Sequence, residues 1–193
     1  MSTHQSGFRK GHCAISTCMK IKDDIVKAMN RGEITLAVMV DFSKAFVTVD
    51  FETLIRKLHK LNLSKPSLKI FASNLSNWHQ YVQIDDSVSQ RLAVTNGVPQ
   101  GSILGPVLFN IYVHDMSTKT RATCCQYADD TSLYRHSRPK DLTTCAETLN
   151  KDVIHWAPKL VNWPALEQIF NPKKKTNSLL FTARRHQLNY ELK

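Results

Sequence analysis

Two adjacent aspartates, Asp129 and Asp130, interrupt a strand-like run that extends from Cys124 to Tyr134. Buried carboxylates are costly, and two of them side by side repel each other. The pair must therefore lie either at a solvated turn or beside a bound cation. The flanking residues are partly β-branched or aromatic, so we predict two short strands with the aspartates at or near the reversal.

A second apolar run also ends in a carboxylate. Residues 33–42, EITLAVMVDF, are partly β-branched with few polar interruptions, which is typical of a strand covered on both faces, and the run reaches Asp41. If this strand neighbours the hairpin in one sheet, Asp41, Asp129 and Asp130 converge at one edge. Such a cluster needs cations at pH 7, and hard oxygen ligands select a pair of Mg²⁺ or Mn²⁺ ions. The alternative is that Asp129–Asp130 is an ordinary hairpin turn and Asp41 caps a helix.

The remaining segments predict a mixture of helices and hairpins, from helical spacing, cap residues and alternation. The predicted elements are a helix over 13–31, a helix capped by Asp50, a helix beginning near Pro66, a hairpin over 80–94 that turns at 85–87, a helix from about Ser102, a helix over 141–156, and a strand after the basic turn at 171–175. Helices and strands do not alternate strictly. The predicted fold class is therefore α+β, with a mostly antiparallel sheet backed by helices.

The net charge indicates which class of partner the chain binds, and the cysteines indicate its cellular compartment. The 193 residues include 26 Lys and Arg against 16 Asp and Glu, a net charge of +10, which favours a nucleic acid as partner and an anionic membrane surface only second. The 5 cysteines are an odd number with no CxxC spacing, so we expect a reducing, intracellular location, the cytoplasm or the nucleus. We expect no signal peptide and no membrane-spanning segment. The oligomeric state is left open.

An ordered set of motifs resembles the reverse transcriptases of non-LTR retrotransposons, which are LINE-type and jockey-like. MVDFSKAF at 39–46 resembles motif A, NGVPQGSILGPVLFNIYVHDM at 96–116 resembles motif B, and YADD at 127–130 resembles motif C. HQSGFRKGH at 4–12 is similar to the segment before motif A, and NPKKKTNSLLF at 171–181 is similar to the motif D region. The resemblance covers almost the whole chain in the expected order.

The resemblance implies a right-hand polymerase palm with part of the fingers. It divides the partial domain 1–193 into a fingers and palm-proximal segment (1–33), a palm core with motifs A, B and C (34–135), and a motif D region without a thumb (136–193). The implied activity is that of an RNA-directed DNA polymerase. The implied partners are an RNA template, a DNA primer and a deoxynucleoside triphosphate, with two Mg²⁺ or Mn²⁺ ions as cofactor.

Carried over position by position, the resemblance also implies the site residues. The catalytic residues would be Asp41, Asp129, Asp130 and Lys175, of which the three aspartates bind metal and the lysine protonates pyrophosphate. The residues that contact nucleotide or template would be Phe46, Gln100, Gly101, Ser102, Arg9 and Lys10.

Several of these residues have a plainer interpretation. Phe46, which would screen the sugar 2′ position, is equally explained as a core phenylalanine. Gly101, with the neighbouring Gly97, also suits a loop that begins a helix. The lysine run that contains Lys175, and the Arg9–Lys10 pair, are also explained as solvated basic surface.

Three departures from the family pattern lead us to expect weak or undetectable synthesis by this chain. Val47 replaces an acidic residue beside motif A, although not the metal ligand. The chain begins just before motif A and ends after motif D, as in a truncated copy. Pro158 and Pro164 disturb the stretch that precedes motif D. An inactive remnant that binds RNA or an RNA–DNA hybrid is thus the alternative. An unrelated metal-dependent phosphotransferase is a third, but it would have no reason to carry motif B.

Overall fold

The structure is a computed structural model that describes residues 3–40, 42, 44–156 and 176–182. Its helices and strands are α1 (Ala14–Asn30), β1 (Ile34–Val40), α2 (Phe51–Lys60), α3 (Lys65–Leu75), β2 (His79–Gln80), β3 (Gln83–Ile84), β4 (Ser87–Val88), β5 (Leu92–Ala93), α4 (Leu104–Tyr112), β6 (Thr123–Tyr127), β7 (Asp130–Ser137), α5 (Leu142–Trp156) and β8 (Thr176–Phe181). The predicted elements are confirmed with small shifts of their bounds. The basic turn predicted at 171–175 lies outside the described residues.

The chain forms two compact units. The first comprises residues 1–43 and 114–193, and the second comprises residues 44–113, which are inserted between β1 and β6. This division differs from the subdivision at residues 33 and 135 that the resemblance implies, which stays a prediction. None of the helices that the structure describes is long and apolar enough to cross a membrane.

An antiparallel sheet of 4 strands, in the order β6-β7-β1-β8, forms the centre of the first unit. Every residue of β1 except Met39 is buried, as its apolar composition predicts for a strand covered on both faces. The predicted proximity of β1 and the hairpin is also confirmed, since β1 pairs directly with β7. Val40, the last residue of β1, pairs with Thr131, so β1 ends beside the beginning of β7.

Helix α1 ends as its sequence predicts. Gly32 follows the helix with φ 72°, a left-handed conformation that glycine adopts without a steric penalty. The Gly32 N–H donates to Met29 O at 2.9 Å, and the Glu33 N–H donates to Ala28 O at 3.0 Å. These two bonds form a Schellman motif, which satisfies carbonyls that would otherwise lack partners.

Tyr134 is the centre of the cluster that joins α1 to the sheet. It is fully buried with Ala37 and Cys125, and Ile21 of α1 packs against the three of them. The Tyr134 hydroxyl donates to Asp24 Oδ2 at 2.7 Å, and burial together with this bond raises the pKa of Tyr134. The tyrosine is therefore neutral, and its one polar group has a partner.

Two further buried polar groups lie in the first unit. Burial raises the pKa of the Cys124 thiol to about 12, so this cysteine packs as a neutral side chain. Asp152 of α5 accepts from the backbone N–H groups of Arg121 at 3.1 Å and Ala122 at 2.9 Å. The carboxylate thereby joins α5 to the segment that leads into β6.

The second unit is built on helices. Asp50 caps α2 by accepting from the Thr53 N–H at 2.7 Å, as predicted. Leu54 and Leu58 of α2 are fully buried, and α2 packs against α4, whose Leu108 and Phe109 are also fully buried. Pro66 lies in the first turn of α3, where its missing N–H needs no partner.

The predicted hairpin over 80–94 is also present in the second unit. β2 pairs with β5 and β3 pairs with β4, and the two inner strands are joined by Asp85 and Asp86. Asp85 has φ 50°, and both aspartates are exposed. The Asp85–Asp86 pair is therefore an ordinary solvated turn.

Replacing Tyr134 by Phe removes the hydroxyl that donates to Asp24 and keeps the ring. We expect the free energy of unfolding to fall by about 2 kcal/mol, the usual worth of a hydrogen bond to a charged group. Urea denaturation followed by circular dichroism measures this. Tyr81→Phe, at a ring that is 49% exposed, is the matched control, and equal losses in the two variants would contradict the assignment.

Candidate active site

The turn between β6 and β7 displays the Asp129–Asp130 pair. Tyr127 pairs with Asp130 across the turn, and Ala128 and Asp129 are its two central residues. Only the first of these, Ala128, has a positive φ, 55°, as in a type II′ turn. A left-handed alanine costs about 1–2 kcal/mol. Asp129 is partly exposed and Asp130 is exposed, so both carboxylates lie at the surface of a tightly specified turn.

A short N-terminal segment lies along the free edge of β6. We call residues 4–7 the strap. The Gln126 N–H donates to His4 O and the Ser6 N–H donates to Gln126 O, both at 2.8 Å. Gly7 lies directly against the turn, because a Cβ built on it would be 2.2 Å from Ala128 N and 2.8 Å from Ala128 Cα. Only glycine fits at this position without displacing the turn.

The third predicted carboxylate, Asp41, lies outside the described residues, and so does Lys175. Among the side chains that the structure describes, no group of three or more His, Cys, Asp and Glu could hold a metal ion. The structure therefore places two of the three acids, Asp129 and Asp130, at one turn, and it brings the end of β1 next to β7. The convergence of all three acids stays a prediction.

Phe46 and the beginning of motif B come together within the second unit. The rings of Phe46 and Phe109 stack with centroids 4.2 Å apart and planes at 26°. Val98 N–H donates to Phe46 O at 2.8 Å, which ties the motif B loop to the segment after motif A. Phe46 is only partly buried, so it packs on the core and still presents part of its ring.

The two glycines of the motif B loop are needed for different structural reasons. A Cβ on Gly97 would lie 2.7 Å from Val47 O and 2.9 Å from Val47 Cα, so the close approach there is by another stretch of backbone. Gly101 has φ 79° and nothing within 4 Å of the position of a Cβ. Both Gly101 and Gln100 are exposed, so this part of the loop is open to a ligand.

The Ser102 hydroxyl forms two local hydrogen bonds. It donates to Pro99 O at 2.8 Å and accepts from the Gly105 N–H at 2.9 Å. These two bonds fix the loop at the beginning of α4. A contact between Ser102 and a nucleotide or template would therefore use its backbone or a rearranged hydroxyl.

The two basic residues near the strap differ in their environment. The Arg9 Nη1 atom donates to Gln5 O at 2.9 Å, so its side chain is partly held against the strap, whereas Lys10 is exposed. The sequence interpretation assigned roles in this segment only to these charged residues and missed Gly7. A glycine in a polar segment next to a strand was the available signal, because such glycines often mark a close approach of backbone.

Comparison with known proteins decides the family. The profile of the family "Reverse transcriptase (RNA-dependent DNA polymerase)" matches residues 1–161. The chain belongs to the reverse transcriptase family. The strand pairing, the YADD turn and the motif B loop described above are thus parts of a reverse transcriptase domain.

Relatives of this reverse transcriptase domain come from mobile elements of Drosophila melanogaster. The probable RNA-directed DNA polymerase from transposon X-element is 29% identical over 94% of this chain and 20% of the relative. The corresponding enzyme from transposon BS is 33% identical over 67% of this chain and 15% of the relative, and that from mobile element jockey is 29% identical over 69% and 15%. The predicted kinship with non-LTR retrotransposons is confirmed. The chain spans a fifth or less of the length of these relatives.

Solved structures confirm the polymerase fold. Apo telomerase from Candida tropicalis, truncated from the C-terminal domain, has a TM-score of 0.65 at 13% identity over 95% of this chain and 37% of that chain. Telomerase from the same organism in complex with a TWJ fragment of telomeric RNA has a TM-score of 0.57 at 11% identity over 93% and 30%. At these identities the likeness establishes the fold alone.

Replacing Gly7 by Ala in the reverse transcriptase domain should displace the YADD turn. We expect the free energy of unfolding to fall by about 3 kcal/mol, since an added methyl in a closely packed position forces backbone shifts. Gly11→Ala is the control, because its Cβ meets nothing within 4 Å and only its φ of 76° opposes it. That strain should cost about 1 kcal/mol. Urea denaturation compares the two, and a Gly7 variant no less stable than the Gly11 variant would contradict the packing.

Proposed function

We propose that this chain is the polymerase core of a non-LTR retrotransposon reverse transcriptase, which transfers nucleotides from deoxynucleoside triphosphates to a primer 3′-hydroxyl. The observation that carries the proposal is the YADD turn. Two adjacent carboxylates are displayed at the surface of a hairpin that pairs directly with the strand of motif A. Asp41 follows the last residue of that strand in the sequence, and we assign it as the third carboxylate.

The turn fits a divalent metal site. Reverse transcriptase domains generally use divalent metal ions, and carboxylate oxygens are the ligands that Mg²⁺ and Mn²⁺ prefer. Asp129 and Asp130 are accessible, and their backbone is held in one conformation by strand pairing on one side and the strap on the other. We assign them, with Asp41, as ligands of two Mg²⁺ or Mn²⁺ ions.

The chemistry is divided between the metal and the chain. When bound, the ions would lower the pKa of the primer hydroxyl and stabilise the charge of the leaving pyrophosphate. The three aspartates hold and orient that centre, and Lys175 gives a proton to the pyrophosphate. Phe46 presents part of its ring against the sugar 2′ position, which favours deoxynucleotides.

The template and nucleotide contacts are assigned to open or basic segments. We assign Gln100, Gly101 and Ser102 to the incoming nucleotide and template, because the first two are exposed at an open loop. Arg9 and Lys10 are assigned to phosphate contacts. The net charge of +10 supports an RNA template and a DNA primer as partners. A location in the cytoplasm or nucleus stays a prediction.

A chain that binds the hybrid without extending it is the second candidate, and Val47 is the observation that favours it. This residue stands where the family has an acid, its side chain is 49% exposed, and its backbone packs on Gly97. The substitution therefore leaves the packing of the motif B loop intact and removes a surface charge. Binding would survive such a change more readily than catalysis, since catalysis depends on placement within about 1 Å.

Asp129→Asn should weaken metal binding and nucleotide incorporation together. We expect the Mn²⁺ dissociation constant, measured by electron paramagnetic resonance, to rise at least tenfold, and primer extension on poly(rA)/oligo(dT) to fall at least about a hundredfold. Loss of a neighbouring residue alone typically costs ten- to a hundredfold in metal sites, so loss of a ligand should cost more.

Asp86→Asn is the matched control, because it alters the Asp85–Asp86 pair at the solvated turn of the β3–β4 hairpin. It should leave both measurements unchanged. Equal Mn²⁺ binding by the two variants would refute the metal site. Mn²⁺ binding that depends on Asp129, together with hybrid binding but no incorporation, would select the second candidate.

Binding of the hybrid should weaken steeply with salt, because phosphate contacts release counterions. With about six phosphate contacts, we expect the affinity to fall about a thousandfold between roughly 50 and 200 mM salt. Fluorescence anisotropy of a labelled poly(rA)/oligo(dT) hybrid measures this. Asp129→Asn should show the same slope, and a salt-insensitive affinity would contradict the electrostatic interpretation.

A further inference from the structure

The left-handed alanine of the YADD turn is bound by a neighbouring side chain. Ala128 has φ 55°, a conformation that a two-residue hairpin turn favours and that the alanine Cβ disfavours. The direction in which Asp129 and Asp130 leave the turn depends on this residue, because it precedes both. A relaxed Ala128 would therefore turn both carboxylates away from their present positions.

The Gln5 side chain binds both backbone groups of Ala128. Its Nε2 donates to Ala128 O at 2.9 Å, and its Oε1 accepts from the Ala128 N–H at 2.9 Å. The same Oε1 also accepts from the Gly7 N–H at 2.8 Å. A carboxamide is the side-chain group that offers a donor and an acceptor side by side, so it binds the N–H and the C=O of one residue, which flank its φ and ψ.

The surroundings fix the Gln5 side chain in this orientation. Gln5 is only 2% exposed, so water does not readily replace its contacts. Its backbone is in register with β6 through a parallel bridge to Gln126, and His4 Nδ1 is 2.9 Å from Cys124 O. Because the backbone of the strap is bonded to β6, the Gln5 side chain is held next to the turn.

We propose that Gln5 is a positioning residue for the YADD carboxylates. Its amide holds Ala128 in the left-handed conformation and thereby sets the direction of Asp129 and Asp130 towards the metal centre. This inference rests on the proposed function for what the carboxylates bind. The clamp itself, defined here as the Gln5 amide with the N–H and C=O of Ala128, stands on the geometry of the first unit.

The test is Gln5→Met in the full chain, which keeps the side-chain length and removes both contacts to Ala128. Amide hydrogen exchange followed by NMR should show protection of the Ala128 N–H reduced about tenfold, while amides of β1 keep theirs. The Mn²⁺ dissociation constant should rise about tenfold, as for other residues that orient metal ligands.

Gln126→Met is the matched control. Gln126 is also a buried glutamine, on the same hairpin, but its Nε2 has only a long 3.4 Å contact to Thr131 Oγ1 and none to the turn. It should change neither Ala128 exchange nor Mn²⁺ binding. If Gln5→Met does not fold, Gln5→Glu replaces it, since it removes only the donor to Ala128 O and should still lower Mn²⁺ affinity.

Ala128→Gly separates positioning from general stability. Glycine adopts the left-handed conformation without a Cβ penalty, so the turn should need the clamp less. In the Ala128→Gly background, Gln5→Met should raise the Mn²⁺ dissociation constant by no more than about threefold, against about tenfold alone. A residue with a merely structural role would show the same effect in both backgrounds.

The outcomes separate the two proposals. Unchanged exchange at Ala128, or faster exchange with unchanged Mn²⁺ affinity, overturns the role of Gln5. Equal effects of Gln5→Met and Gln126→Met also overturn it. Absence of Mn²⁺ binding by the unaltered chain refutes the proposed metal site instead, and Ala128 exchange then still decides whether Gln5 holds the turn.

Discussion

The antiparallel pairing of β1 with β7 is the interaction on which the rest of the structure depends. It gives β1, the most apolar strand, hydrogen-bonding partners on one edge, and β8 supplies them on the other. Because β7 continues through a tight turn into β6, the register of this one pairing also fixes the acidic turn relative to the end of β1. Packing of Tyr134 against α1 then closes one face of the sheet. The position of the carboxylates is thus a consequence of strand register.

Two of the acidic pairs of the chain, Asp85–Asp86 and Asp129–Asp130, lie at hairpin turns, and their surroundings distinguish them. Both hairpins turn through two central residues, and the first of these has a positive φ in each, 50° at Asp85 and 55° at Ala128. The first pair occupies an exposed hairpin whose turn is simply solvated. The second belongs to a hairpin whose strands are partly buried in the sheet and whose turn is packed against glycine and bound by a buried amide. The same dipeptide is a surface turn in one place and a candidate metal site in the other.

Local features of the fold were predictable from the sequence; among the long-range pairings, that of β1 with the hairpin was anticipated and that of β1 with β8 was not. Burial of β1, the Asp50 cap and both hairpins follow from hydrophobic pattern and turn chemistry within a few residues. The place of β8 beside β1 depends on hydrogen bonds between distant segments, which no local pattern encodes. Gln5 was missed for the same reason: a glutamine in a polar N-terminal segment gives no sign that its partner lies 123 residues away. The resemblance supplied the motifs, but not the contacts that support them.

The strap has a consequence for how the molecule is assembled. The β6–β7 hairpin is local and can form within microseconds, whereas the strap joins it from 120 or more positions earlier in the chain. Contacts of such high contact order form late, because the entropy of closing a long loop must be overcome first. During synthesis, the N-terminal residues must wait until the hairpin has left the ribosome. Completion of the YADD turn by the strap is therefore among the last steps of folding, and a partly folded chain would already have its sheet while the direction of Asp129 and Asp130 was still unset.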